Sequence, residues 1–162
     1  CWWFLASLAT SLLDALVEAS QDLRKREGAR AVVVAITGAG IGFSNWDRFQ
    51  VVDKAKAGRA QFLAVQFDET GPPDLQGDGT DQVGRLDYDF VLGRLTRETG
   101  GRLERSVSAH GVGRALDAVA AELSGQYRLS YRSLPAGKDR KREVEVTVSR
   151  PEVKLRVGPV SP

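Results

Sequence analysis

Between residues 11 and 26, Leu12, Leu13, Leu16, Val17 and Leu23 recur at helical spacing, while Asp14, Glu18, Asp22 and Lys25 fall on the other side. The spacing predicts an amphipathic helix whose charged positions face water, with Gly28 to end it. Residues 31–36 read Ala-Val-Val-Val-Ala-Ile, an unbroken apolar run expected of a central parallel strand covered on both faces. Gly38, Gly40 and Gly42 then break the chain, Asn45 is placed to cap a helix to about Lys56, and residues 62–67 give a second buried strand. Residues 68–85 hold Pro72, Pro73 and several glycines without an apolar period, which predicts a surface loop or insertion. Helical spacing resumes over 88–99 and stops at Gly100 and Gly101. A short strand is expected at 102–104, and a helix at 112–123 with Leu116, Val119, Ala120 and Leu123 on one side and Gly125 at its end.

The C-terminal third changes period. Tyr127, Leu129 and Tyr131 alternate with Arg128, Ser130 and Arg132, and Val144, Val146 and Val148 alternate with Glu143, Glu145 and Thr147, the pattern of half-exposed strands. An antiparallel hairpin at the sheet edge connects them most simply through residues 135–142, with 153–157 as a third strand. Helices and strands that alternate and then end in such an edge predict an α/β fold: a three-layer, Rossmann-like open sheet, mostly parallel. The expected division is a main α/β unit over residues 1–134 and a C-terminal β-extension over 135–162 packed on it.

Composition narrows the function classes. The 162 residues carry 42% hydrophobic and 27% charged residues, a globular balance. The net charge of +2 gives no field that would draw the chain onto nucleic acid or an anionic membrane. Cys1 is the single cysteine, so an internal disulfide is impossible. The apolar run over residues 1–17 is interrupted by Ser7, Thr10, Ser11 and Asp14 before it reaches membrane-spanning length, so no membrane insertion is expected.

Four segments carry a family resemblance that runs over about residues 8–157: ATSLLDAL (9–16), AVVVAIT (31–37), RETGGRL (97–103) and AAELSGQYRLSY (120–131). Together they resemble the von Willebrand factor type A (vWA)-related domains of bacterial secreted and envelope proteins. The resemblance implies an extracellular or periplasmic setting and a protein partner. In that family a divalent cation sits at the C-terminal edge of the sheet, held by an Asp-x-Ser-x-Ser turn after the first strand, a threonine before a later helix, and an aspartate after the central strand. Thr10 matches the threonine. The Asp-x-Ser-x-Ser turn is not found, so the family's first strand is expected to be missing from this stretch, and Gly38 stands where the aspartate would be. Glycine offers no side-chain oxygen to a hard cation. The resemblance therefore implies a degenerate metal site with Thr10 as a vestigial ligand or a plain helix-start residue, and binding that needs neither metal nor cofactor.

Other chemistries fit these residues less well. The Gly38-Gly40-Gly42 loop after a buried strand suggests a Rossmann-type nucleotide-binding oxidoreductase, since glycines let backbone amides approach a pyrophosphate. The Gly-x-Gly-x-x-Gly spacing fails at Phe43, and Asp68 lies farther on than the roughly 20 residues usual for the ribose-binding acid. A strand-to-helix turn is the simpler reading. The acidic stretch around Asp74, Asp78 and Asp81 lacks an EF-hand register. His110 has no partner placed by sequence, and the basic group Lys138, Arg140, Lys141 and Arg142 lacks interleaved aromatics. The expectation is thus a non-catalytic interaction module whose contact surface is the loop edge above the strand ends, formed by Thr10, Thr37, Phe43, Ser44, Asn45 and Trp46. Its partners are a protein and other domains of a longer parent chain.

Overall fold

A computed structural model describes residues 11–25, 31–38, 44–67, 80–106, 109–127, 129–130, 145–153 and 155–158, with the backbone alone for 80–85 and 109. The described elements run α1 (Leu12–Arg24), β1 (Val32–Gly38), α2 (Arg48–Ala57), β2 (Gln61–Phe67), α3 (Thr80–Glu98), β3 (Leu103–Ser106), a 3-10 turn (Ala109–Gly111) and α4 (Val112–Ser124). The three strands are parallel in the order β1-β2-β3. Val32 pairs with Gln61 and Gly38 with Phe67, while Ala64 pairs with Leu103 and Phe67 with Ser106.

The helices divide between the two faces according to which side chains each strand presents. Leu13, Leu16 and Val17 of α1, Val51, Val52 and Ala55 of α2, and Tyr88, Val91, Leu92 and Leu95 of α3 pack with Ala35, Phe62 and Ala64. On the opposite face Val119 of α4 packs with Leu63 and Val65. Successive residues of β2 thus point alternately into two apolar layers, so a strand with no polar face is satisfied only between helices. The arrangement is α/β, layered and Rossmann-like.

Local chemistry sets the element ends. Ser11 caps α1 by accepting from the Leu13 N–H at 3.2 Å. At the C-terminus of α3, Gly100 takes a left-handed conformation with φ 69°. The Gly101 N–H then reaches back to the Thr96 carbonyl at 2.7 Å, the closure that glycine makes inexpensive. At the end of α2, a Cβ on Gly58 would lie 2.4 Å from the Ser20 carbonyl oxygen. A side chain there would force α1 and α2 apart.

Four sequence expectations are corrected. β1 is an edge strand of the described sheet, with Val34 41% and Ile36 48% exposed, and the strand buried between neighbours is β2. Apolar composition marks both strands alike; which one is central depends on what pairs beside it. The cap of α2 is Asp47, whose Oδ1 accepts from Phe49 N–H at 2.8 Å and Gln50 N–H at 3.0 Å, while Gln50 Oε1 accepts from Asp47 N–H. Asn45 is engaged elsewhere. Helix α3 begins at Thr80, inside the stretch read as loop: once its second half is anchored in the core, each further residue adds a hydrogen bond without a new nucleation step. Asp14 does not simply face water, as described below.

In the C-terminal third, residues 126–127, 129–130, 145–153 and 155–158 form no strand. Tyr127 is 92% and Leu129 71% exposed. The middle of the expected hairpin, residues 131–144, lies outside the described residues. Arg156 holds 155–158 against α4 through a two-pronged pair with Glu122 at 3.0 and 2.6 Å.

Candidate functional site

A parallel sheet brings the C-terminal ends of β1, β2 and β3 to one edge, and α1 starts at that same edge. The segment just before α2, residues 44–46, is bound to the first turn of α1 by one carboxylate. Asp14 Oδ1 accepts from the Ser44 hydroxyl at 2.5 Å, and Oδ2 accepts from the Asn45 side-chain amide at 2.9 Å and its backbone N–H at 3.3 Å. Ser44 Oγ in turn accepts from the Trp46 N–H at 3.1 Å. A carboxylate in the first turn of a helix also meets the positive end of the helix dipole. Asp14 therefore organises the loop. The spacing of α1 did not disclose this, although a first-turn acid beside a loop from the neighbouring strand was a readable signal.

Trp46 stands outward, 39% exposed, with the Lys54 ammonium 3.9 Å above its ring. Phe49 is 50% exposed and meets Phe90 of α3 edge-on, with ring centres 5.0 Å apart. The Arg48 guanidinium lies 5.2 Å from the first ring and 4.9 Å from the second, and 3.5 Å from Asp87. Phe49, Phe90 and Arg48 were missed in the sequence because nothing in the helical period of α2 or α3 sets them together. Aromatic faces under cations form a surface that is apolar in area yet wet at its rim, the composition favoured in recognition patches.

Thr37 is half-buried and its hydroxyl donates to the Gly38 carbonyl at 3.0 Å. A Cβ at Gly38 would meet the Phe67 ring at 3.2 Å, so the space a side-chain ligand would need is contested by an aromatic ring. Thr10, Phe43, Gly40 and Gly42 lie outside the described residues. The edge thus joins Ser44, Asn45 and Trp46 in one hydrogen-bonded unit, with Thr37 one residue before the end of β1.

Farther along the edge, Gln66 is buried. Its Nε2 donates to Asp89 Oδ1 at 3.0 Å, which also receives Arg105 at 3.4 Å, while Gln66 Oε1 has no hydrogen-bond partner. Tyr88 is buried beneath the start of α1, and burial pushes its phenol above the ordinary value against hydrogen bonds with the Leu12 backbone and the Ser11 side chain. Among the described residues no group of three His, Cys, Asp or Glu side chains could hold a metal ion. No described helix is long and apolar enough to cross a membrane. His110 sits exposed on the 3-10 turn. At the opposite end of the sheet a groove of about 450 Å³ is lined by Arg97, Gly100, Arg102, Leu155 and Arg156 among others. No protein-family model, curated protein or solved structure matches this chain.

Proposed function

We propose that the chain is a vWA-like interaction module that recognises a protein partner through the loop edge over the strand ends, without catalysis and without a metal ion. The observation that carries this reading is the Asp14 knot, which ties residues 44–46 to the first turn of α1, with Trp46 39% exposed. A preorganised loop loses little conformational freedom on binding. Trp46 and Phe49, each beneath a cationic group, supply the anchors, and Ser44, Asn45 and Thr37 the polar surround. Gly38, which contributes no side-chain oxygen, and the Phe67 ring beside it support the metal-independent reading. The vWA-like assignment, the C-terminal edge hairpin, the extracellular or periplasmic setting and the attachment to a longer parent chain belong to the same proposal.

A photo-cross-linking residue in place of Trp46 tests the surface, with the same probe in place of exposed Arg114 on α4 as the comparison. Cross-linking to a discrete partner from the Trp46 position, lost when Phe49→Ala is added and absent from the Arg114 position, is expected. Equal labelling from both positions refutes the loop edge as the contact surface.

A further inference from the structure

The groove at the N-terminal end of the strands brings together arginines from three parts of the chain. Arg97 comes from the last turn of α3, Arg102 from the residue before β3, and Arg156 from the segment 155–158. Leu103, Leu155 and Val157 line the same groove, with Leu155 44% and Val157 46% exposed. A Cβ on Gly100 would collide with the Val157 carbonyl, so the glycine that closes α3 also lets 155–158 lie along this wall. One buried acid steadies two of the three arginines. The Glu122 side chain is 10% exposed and receives Nε and a terminal nitrogen of Arg156 at 3.0 and 2.6 Å. It also lies 3.9 Å from a terminal nitrogen of Arg102, whose Nε is paired with Glu104. These pairs use a minority of the five N–H donors that each guanidinium carries. Arg97 is exposed and has no acidic partner among the described residues. Three guanidiniums against the carboxylates of Glu104 and Glu122 leave one positive charge at the groove. The dipole of α3, whose C-terminus ends here, opposes an anion, and the Thr99 and Gly101 N–H groups are spent on the Leu95 and Thr96 carbonyls. Donors for a ligand therefore come from the arginines and not from the backbone.

We propose that this groove binds an aliphatic monocarboxylate, its carboxylate taken by Arg97 and Arg102 and its hydrocarbon laid against Leu155 and Val157. A single negative charge matches the one positive charge that Glu104 and Glu122 leave uncompensated. The planar carboxylate suits the guanidinium fork, which can bind both oxygens at once. The aliphatic wall gives the ligand's hydrocarbon a place out of water. A dianion would bring charge that the groove does not balance. A free fatty acid and a peptide ending in an aliphatic residue share this chemistry. The groove lies at the other end of the sheet from the loop edge assigned above, and the two readings stand or fall independently.

Titration of the isotope-labelled full chain with octanoate, and separately with a short peptide ending in leucine, tests the groove by amide NMR. Saturable shifts at Gly100, Gly101 and Leu103 are expected with at least one of the two, while Asn45 and Trp46 stay in place. The stronger response tells a free acid from a chain terminus. Octanol and the C-terminally amidated peptide keep the hydrocarbon and lose the charge, so each should bind at least about ten-fold more weakly than its acid. Arg97→Gln, at an exposed position, should weaken the acid by a similar factor, about ten-fold, without loss of spectral dispersion. Should that variant fail to fold, the comparison of acid with uncharged counterpart on the unaltered chain decides. The proposal is overturned if neither acid gives saturable shifts at these amides in the millimolar range. Equal binding of an acid and its uncharged counterpart overturns it too, as does a folded Arg97→Gln variant of unchanged affinity.

Discussion

Asp14 receives three hydrogen bonds from a loop some thirty residues away in sequence. Each joins a carboxylate to a neutral donor, a kind of bond worth more than one between neutral groups because the charge strengthens it. Removing the carboxylate leaves the Ser44 and Asn45 donors to water and unties Trp46, whose N–H depends on the Ser44 hydroxyl. Asp14→Ala should therefore destabilise the protein by about 1–2 kcal/mol, since such bonds contribute roughly 1.5–3 kcal/mol when buried and these are partly exposed. Urea unfolding measures the change. A loss under about 0.3 kcal/mol would mean that the loop is held by something other than Asp14.

The helices on the α1 face are joined by packing first and by charge at the rim. Glu98 of α3 pairs with Lys56 of α2 and with Arg94 one turn earlier, the latter at 2.6 Å. The hydrogen bond from Lys56, and after it that from Arg94, holds the Glu98 carboxyl below its ordinary value of 4.5. A depressed carboxylate contributes its stability above the unfolded value and loses it as pH falls through the folded one. Glu98→Gln should thus lower stability at pH 7 by less than about 1 kcal/mol, because the group is near the surface and screened. The gap between variant and parent should close as pH drops below about 4.5, with denaturant midpoints at pH 7 and pH 3 as the readout. A gap that persists unchanged at pH 3 assigns the effect to packing.

At the scale of the molecule, the described residues place one three-stranded sheet between a three-helix layer and a single helix. The uneven cover leaves the face of β1 that turns toward α4 partly bare while β2 is sealed. The ends of the parallel strands gather the loop edge, where ligands of such sheets bind. For a module that works by surface contact, neither magnesium, manganese nor NAD should stabilise the folded state. Each should leave the thermal midpoint within about 1 °C at millimolar concentration, since a ligand that binds only the native state raises it by mass action. A rise of several degrees that grows with concentration removes the metal-independent, non-catalytic reading.

The sequence by itself determined the alternation of helices and strands. Apolar period and glycine stops are local properties, and β1, β2, α1 and α4 fall within two residues of where the pattern predicts them. It also named Ser44, Asn45 and Trp46 together at the edge beyond β1, though it set Asn45 as the cap of α2. What only the tertiary structure decided depends on neighbours distant in the chain: that β2 is sealed while β1 is bare on one face, that Asp14 ties down a loop, that Asp47 takes the cap because Asn45 is already engaged, and that Phe49 meets Phe90. The physical reason is the same in each case. A side chain's burial and hydrogen-bond partners are set by which elements dock beside it, and periodicity along one element carries no information about that docking.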